Sequence, residues 1–288
     1  MNDFLLSLVL GTIEGLTEFL PVSSTAHLRI AEALFQIDLK NGFWKMYSIV
    51  IQLGAILALT VFFRRRILNF LRTFPRGESG DRTVFTHPLS LVAIAFVVTA
   101  IPAFLLTKLI GKNLENLYVM SLALLCGGIV MWVVDSLFVR PKIRHMEETS
   151  LPAAIWIGAV QVLSAVFPGT SRSMCTIAAG QVAGMSREAA LEFSFFLSIP
   201  TMFVATGYDL LKTIRPHAAA EALAPVVMTH HLWLVLALGF IAAFFSALGV
   251  VAWFLHWVRR HGFTPFAIYR IVLGLALLYA LSHALLGR

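Results

Sequence analysis

Two short stretches carry most of the residues in this chain that could do chemistry. The first is Glu14-Gly15-Leu16-Thr17-Glu18-Phe19-Leu20-Pro21-Val22-Ser23-Ser24-Thr25-Ala26-His27. Glu14 and Glu18 stand four residues apart, so a helix presents both carboxylates on one face. At membrane depth an ionised acid costs roughly 2.5–3.5 kcal/mol, and two unpaired acids also repel. A divalent cation removes both costs, and Mg²⁺ or Ca²⁺ is the hard, oxygen-binding kind that suits carboxylates. Glu14 and Glu18 are therefore the expected metal ligands. Pro21 stops the helix, and Ser23, Ser24 or Thr25 can cap the next one. The result is a helix N-terminus with free N–H groups and clustered hydroxyls, a natural seat for phosphate. Ser24 is a candidate nucleophile, and His27 is a group that moves protons near neutral pH.

The second stretch is Pro168-Gly169-Thr170-Ser171-Arg172-Ser173-Met174-Cys175-Thr176. Gly169 permits a tight turn and a close backbone approach. Arg172 offers a planar fork for phosphate oxygens. Thr170, Ser171, Ser173 and Thr176 add donors. Together the two stretches hold carboxylates with a metal, an arginine, a histidine and hydroxyls, which is what phosphoryl transfer needs. Blander readings compete with this one. The glutamates could form a solvated face, single serines could simply bond backbone carbonyls, and Arg172 could snorkel to lipid phosphate. Elsewhere the blander reading wins. Asp135, Arg270, His256 and His283 read as anchoring or packing residues towards span ends. His217, His230 and His231 read as parts of an outer loop. Glu192 reads as support for the second stretch.

The elements that must position these residues are membrane helices. Of 288 residues 59% are hydrophobic and only 13% charged, with a mean hydropathy of +0.84. An average soluble domain is roughly 25% charged, so a soluble globule of this composition could not cover its surface. One integral membrane domain spanning 1–288 is expected, with no separate soluble module. The net charge of +7 then belongs to loops and anionic headgroups, with no nucleic-acid partner. Cys126 and Cys175 give no disulfide framework. The N-terminal Met1-Asn2-Asp3 lacks a basic region, and Glu14 and Glu18 interrupt the apolar run that follows. No cleavable signal peptide is therefore expected.

Six apolar runs are long enough to span: Met46–Phe63, Leu89–Ile110, Tyr118–Phe138, Ala189–Gly207, Leu232–Val258 and Ala267–Leu286. Phe4–Leu20 and Leu151–Phe167 are shorter, and each runs into a proline and hydroxyl residues. They read as re-entrant hairpins that enter the membrane and turn back. Arg64, Arg65, Arg66, Arg72, Arg76 and Arg82 mark one loop as cytoplasmic. Arg140, Lys142 and Arg144 mark a second, and Arg259 and Arg260 a third. Lys112, Lys212 and Arg215 lie in the poorer, outer loops. The first hairpin then enters from outside and the second from the cytoplasm. Pro21 and Pro168 are 147 positions apart, and Gly11 and Glu14 align with Gly158 and Gln161. Moving the first three spans by the same shift lands on the last three. The chain therefore reads as two repeats, 1–145 and 148–288. Each holds one re-entrant hairpin and three spans, and the odd number inverts the second relative to the first. The fold class is an all-α integral membrane protein of six transmembrane helices and two re-entrant hairpins.

These motifs resemble those of the bacterial undecaprenyl-diphosphatase family, also known as bacitracin-resistance proteins. The resemblance rests on Glu14 and Glu18 leading into Pro21-Val22-Ser23-Ser24-Thr25-Ala26-His27, and on Pro168-Gly169-Thr170-Ser171-Arg172-Ser173. It covers the whole chain. It implies hydrolysis of undecaprenyl diphosphate to the monophosphate, which recycles the lipid carrier for peptidoglycan synthesis. It also implies a divalent metal and a site open to the periplasmic side of the bacterial inner membrane. Catalytic roles would fall to Glu14, Glu18, Ser24, His27 and Arg172. Two positions depart from the family pattern: Ala26 and Met174 stand where glycine is usual, and both add bulk near the loops. The alternative from another class is a polyprenyl-phosphate transporter or flippase, because inverted repeats with broken midplane helices serve carriers too. A homodimer is left open.

Overall fold

The computed structural model describes residues 2–37, 42–113, 116–214 and 228–286. The six expected spans are α3 (Gly42–Phe62), α5 (Pro88–Leu105), α7 (Leu117–Leu137), α10 (Arg187–Ile214), α11 (His230–His261) and α12 (Thr264–Leu286). A 21-residue helix such as α3 or α7 rises about 31 Å, the thickness of the hydrocarbon core. The chain is a multi-pass, all-α membrane protein. His217 and Arg215 lie outside the described residues.

Hydropathy misplaces two details. The second span stops at Leu105 rather than Ile110. The backbone turns at Leu106 and restarts as α6 (Thr107–Asn113). Pro102 lies three residues before this stop, and the residues on both sides stay apolar, so the break leaves no trace in hydropathy. The six-arginine loop also folds, as α4 (Arg64–Thr73). It buries Phe70, and its Arg66 guanidinium lies 5.7 Å from the ring centres of both Phe70 and Phe196.

The two short stretches each form helix, break, helix. The first comprises α1 (Asp3–Thr17) and α2 (Ser24–Leu34), the second α8 (Leu151–Val166) and α9 (Arg172–Val182). Ser24 and Arg172 both open a helix and stand 148 positions apart, as do the helix ends Leu34 and Val182. The prolines are only 147 apart, so the second turn is one residue longer. This corrects the sequence alignment beyond the proline: Ser23 corresponds to Ser171, and Ser24 to Arg172. Both caps hold φ near +70° (74° and 71°), and each hydroxyl accepts from the backbone N–H three residues on, at 3.4 Å. In the longer turn Gly169 has φ +93°, and a Cβ there would lie 2.5 Å from the Met120 carbonyl oxygen. Conformation and space both call for glycine.

Packing runs across the halves. α1 lies against α11, and α8 against α5; α7 lies against α12, and α3 against α10. Exchanging the halves turns this set of pairs into itself. In a bilayer, helices associate through close packing rather than hydrophobic transfer, which favours small residues at the contact. On α1, Gly11 and Gly15 meet α11 so closely that a Cβ would come within 2.3 Å of the Gly239 oxygen or 2.4 Å of the Ala243 oxygen. Gly158 of α8 meets Ala95 of α5 in the same way, at 2.4 Å. These contacts fix the helices that carry both turns.

Candidate functional site

The two turns face each other across one arginine. Arg270, on α12, is fully buried. Its Nη1 donates to the Pro21 carbonyl at 3.1 Å. Its Nη2 lies within donating distance of the carbonyls of Gly169 (3.0 Å), Thr170 (2.9 Å) and Ala123 (3.1 Å). Among the described residues no carboxylate pairs with it. Three of these carbonyls lie just beyond the C-termini of α1 and α8, where helix carbonyls lack partners and the dipole is negative, and the fourth, of Ala123, lies within α7. Arg270 thus ties the first turn to the second. The sequence reading made it an anchor near a span end. A lone arginine in an apolar helix was the available signal, since intramembrane charges are functional by default.

With the turns held, a polar cavity of about 190 Å³ opens between them. It is lined by Glu18, Ser23, Ser24, Gly169, Ser171 and Arg172, with Thr25 at its edge and Gln52 and Thr201 from α3 and α10. Ser24 Oγ donates to Glu18 Oε2 at 2.5 Å. The other oxygen, Glu18 Oε1, accepts from Arg172 Nη2 at 3.2 Å. Arg172 Nη1 also donates to Ser198 Oγ. The carboxylate therefore sits between a hydroxyl it can deprotonate and the guanidinium that fixes its position. Both helix N-termini, at Ser24 and Arg172, open onto the cavity, which suits an anion. Phe19 backs the first turn from below, fully buried and edge-on to Phe195 at 5.7 Å.

Glu14 lies behind Glu18, fully buried, and neither of its oxygens has a hydrogen-bond partner. Its charged neighbours are Glu18, Glu32 and Arg172. A buried carboxylate with no donor needs a cation or a proton to be tolerated. The donor set therefore fits a hard divalent ion, which the carboxylates of Glu14 and Glu18 would hold. Among the described residues no three His, Cys, Asp or Glu side chains gather into a closed protein cage.

Other candidates fall elsewhere. His27 is not hydrogen-bonded to Ser24. Its Nε2 meets the Tyr269 hydroxyl at 2.6 Å and its Nδ1 the Ser23 carbonyl at 2.7 Å, and its ring stacks on Tyr269. In place of His27, the hydrogen-bond partner of the Ser24 hydroxyl is Glu18. Thr170 turns its hydroxyl onto the Phe167 carbonyl at 2.7 Å and does not line the polar cavity. Ser173 and Thr176 are buried off the cavity. Ser173 reaches the Glu18 carbonyl at 3.4 Å, and Thr176 shares a 2.6 Å bond with Ser194. They brace α9 rather than face a ligand. Glu192 does not support the second turn; it pairs with Arg66 at 2.8 Å. Asp135 is an anchor, as expected. It accepts from Arg187, Gln181 and the backbone N–H groups of Phe263 and Thr264, where α12 begins.

Fold and site define a multi-pass membrane protein with a carboxylate–hydroxyl–guanidinium pocket between two broken-helix turns. The chain belongs to the bacitracin resistance protein BacA family, whose model matches residues 7–276. It is 64% identical over 280 residues to a protein from Koribacter versatilis named undecaprenyl-diphosphatase, covering 96% of this chain and 98% of that one. A protein of the same name from Thermus thermophilus is 42% identical over 269 residues, 93% of each chain. Another, from Caldanaerobacter subterraneus, is 40% identical over 284 residues, 98% of each.

Proposed function

We propose that the polar cavity holds the diphosphate head of a membrane lipid, and that the chain hydrolyses undecaprenyl diphosphate to undecaprenyl phosphate and inorganic phosphate. This recycles the lipid carrier for peptidoglycan synthesis. The observation that carries the reading is the Ser24–Glu18–Arg172 chain of contacts between two helix N-termini. A binding pocket for phosphate needs donors. A hydroxyl held on a carboxylate adds a nucleophile beside its base.

In the mechanism, Ser24 Oγ bonds to the terminal phosphorus while its proton passes to Glu18. The bridging P–O bond breaks, and undecaprenyl phosphate leaves. Glu18 hands that proton to the leaving phosphate, then takes a proton from the water that attacks the phosphoserine and delivers it to the departing serine oxygen, which restores Ser24. Arg172 and the N–H groups at both helix starts stabilise the charge on the phosphoryl oxygens. Ser23, Thr25, Gly169 and Ser171 shape the seat. A Mg²⁺ or Ca²⁺ ion on Glu14 and Glu18 would neutralise the diphosphate charge that those carboxylates otherwise repel. His27, through the Ser23 carbonyl, holds the first turn in place.

Release of phosphate from undecaprenyl diphosphate by the purified protein tests this. Release is expected from the parent, falling to background in EDTA and returning with Mg²⁺ or Ca²⁺. Tight lipid binding without release in the metal-loaded parent would make the chain a carrier instead.

We also place the protein in the bacterial inner membrane with the cavity open to the periplasm, on the strength of the arginine-rich loops. Ser24→Cys, with Cys126 and Cys175 replaced, is expected to react with an impermeant thiol reagent added outside spheroplasts. Labelling from the cytoplasmic side alone would reverse the orientation. The division into inverted repeats 1–145 and 148–288 belongs to the same proposal and is supported by the exchange of helix pairs between halves. The homodimer would show as a two-chain mass in native mass spectrometry.

A further inference from the structure

A second cavity, of about 460 Å³, lies on the far side of the turn between α8 and α9. Its walls are apolar: Leu122, Cys126 and Val130 from α7, Leu163 from α8, and Met174 and Ala178 from α9. Leu122, Val130 and Leu163 are each nearly half exposed, so the groove opens sideways towards lipid. The turn itself is the wall between the two cavities. Pro168, Gly169 and Ser171 line the polar one, and Phe167 and Thr170 line the apolar one. α8 divides in the same way, with Ser164 on the polar side and Leu163 on the apolar side. The Thr170 hydroxyl is spent on the Phe167 carbonyl, so that residue adds no free donor to the groove. The other half carries a different side chain at the matching place. The counterpart of Cys175, 148 positions earlier, is His27, which stacks on Tyr269.

Resting on the reading of the polar cavity as a diphosphate seat, we propose that this groove holds the head-proximal part of the substrate's prenyl chain. A diphosphate between the turns and a chain crossing the Phe167–Ser171 rim would occupy both cavities as one molecule. The volume lies within the ~300–1,000 Å³ of ordinary ligand sites, enough for the first units of a long chain, with the remainder in the bilayer. The chain arrives from lipid, so it gains nothing from leaving water. The groove selects by fit. A prenyl diphosphate is thereby preferred over phospholipids that share the bilayer.

Two measurements test the groove, each run beside phosphate release in the parent, which reports separately on the phosphatase reading. In the first, Cys126→Trp and Val130→Trp fill the groove from lipid-exposed positions, and Ile129→Trp adds the same bulk to α7 outside it. KM for undecaprenyl diphosphate is expected to rise about tenfold in the two groove variants, the ratio that ~1.4 kcal/mol of lost packing gives. Their kcat should stay within twofold of the parent, and Ile129→Trp should change neither constant. Unchanged KM in both groove variants, or an equal rise in Ile129→Trp, overturns the proposal while the parent still releases phosphate. The second measurement uses the native thiol of Cys126, which is exposed to the groove. Its alkylation by N-ethylmaleimide, read by peptide mass spectrometry, is expected to slow several-fold with undecaprenyl phosphate. The same mole fraction of phosphatidylglycerol should not slow it. Equal slowing by both lipids marks an annular lipid site and overturns the assignment, as does no slowing by either.

Discussion

Glu18→Gln is expected to lower phosphate release by at least ~10³-fold. General bases contribute ~10²–10⁴-fold, and here the same carboxylate also orients Arg172 and helps to hold the cation. Glutamine keeps the volume and can still accept from Ser24, but it cannot take a proton from it. Glu14→Gln should behave differently. Glu14 touches neither Ser24 nor the cavity, so its loss should weaken the metal and be partly rescued by raising Mg²⁺ or Ca²⁺, by mass action. Glu18→Gln should not be rescued. The pair Glu18→Gln/Ser24→Ala should be no slower than the worse single variant, because residues acting in one step do not add. His27 meets the first turn through the Ser23 carbonyl and braces it on Tyr269, and about tenfold is expected of His27→Ala. Steady-state phosphate release across this set decides the scheme. A Glu18→Gln variant within tenfold of the parent would remove Glu18 as the base, and a His27→Ala variant worse than Glu18→Gln would restore the relay read from the sequence.

The contrast between Glu18 and His27 shows what the sequence could and could not say. The two polar stretches stand out because charge is costly in a bilayer. The six spans stand out because twenty apolar residues have few other uses. Glu14 and Glu18 share a face because helical spacing alone decides it. The partner of Ser24 is a different kind of question. Six positions and a helix break separate it from Glu18, and the direction of each side chain depends on the positive φ of Ser23. Counting three residues to His27 assumes a single regular helix, and the break removes that assumption. The second turn illustrates the same limit. One added residue, Gly169, changes which serine caps the helix and brings Arg172 to the position that Ser24 holds in the first half. Thr170, Ser173 and Thr176 look alike in sequence, yet the turn and the helix send each to a different neighbour. Distance along the chain hid Arg270 most completely, since its bonds reach residues 249, 101 and 100 positions away.

Arg270 gives the other large expected effect. Arg270→Ala removes a cation that no carboxylate among the described residues balances, which by itself is no loss. It also strips the turn carbonyls of Pro21, Gly169 and Thr170 of their donor. Each buried acceptor left without a partner costs ~1–3 kcal/mol, so the variant is expected to unfold at a markedly lower temperature in detergent or to fail to accumulate. That outcome alone would not separate support of the fold from placement of the site, and two milder variants do so. Arg270→Lys keeps the charge but has no planar fork to reach both turns at once. Gly127→Ala leaves Arg270 intact, yet its new Cβ would lie 2.4 Å from Arg270 Nη2 and push the guanidinium aside. Neither change touches Ser24, Glu18 or Arg172. Both should leave the unfolding temperature within a few degrees of the parent and lower kcat by about 10²-fold, the cost of holding reacting groups an ångström out of place. KM should change less, since each turn keeps its own helix N-terminus. Guanidinium ion added to Arg270→Ala, if that variant folds, should restore part of kcat, whereas ammonium should not. Parent-like kcat in both Arg270→Lys and Gly127→Ala would make Arg270 a packing residue and leave the spacing of the two turns to the glycine contacts of α1 and α8 alone.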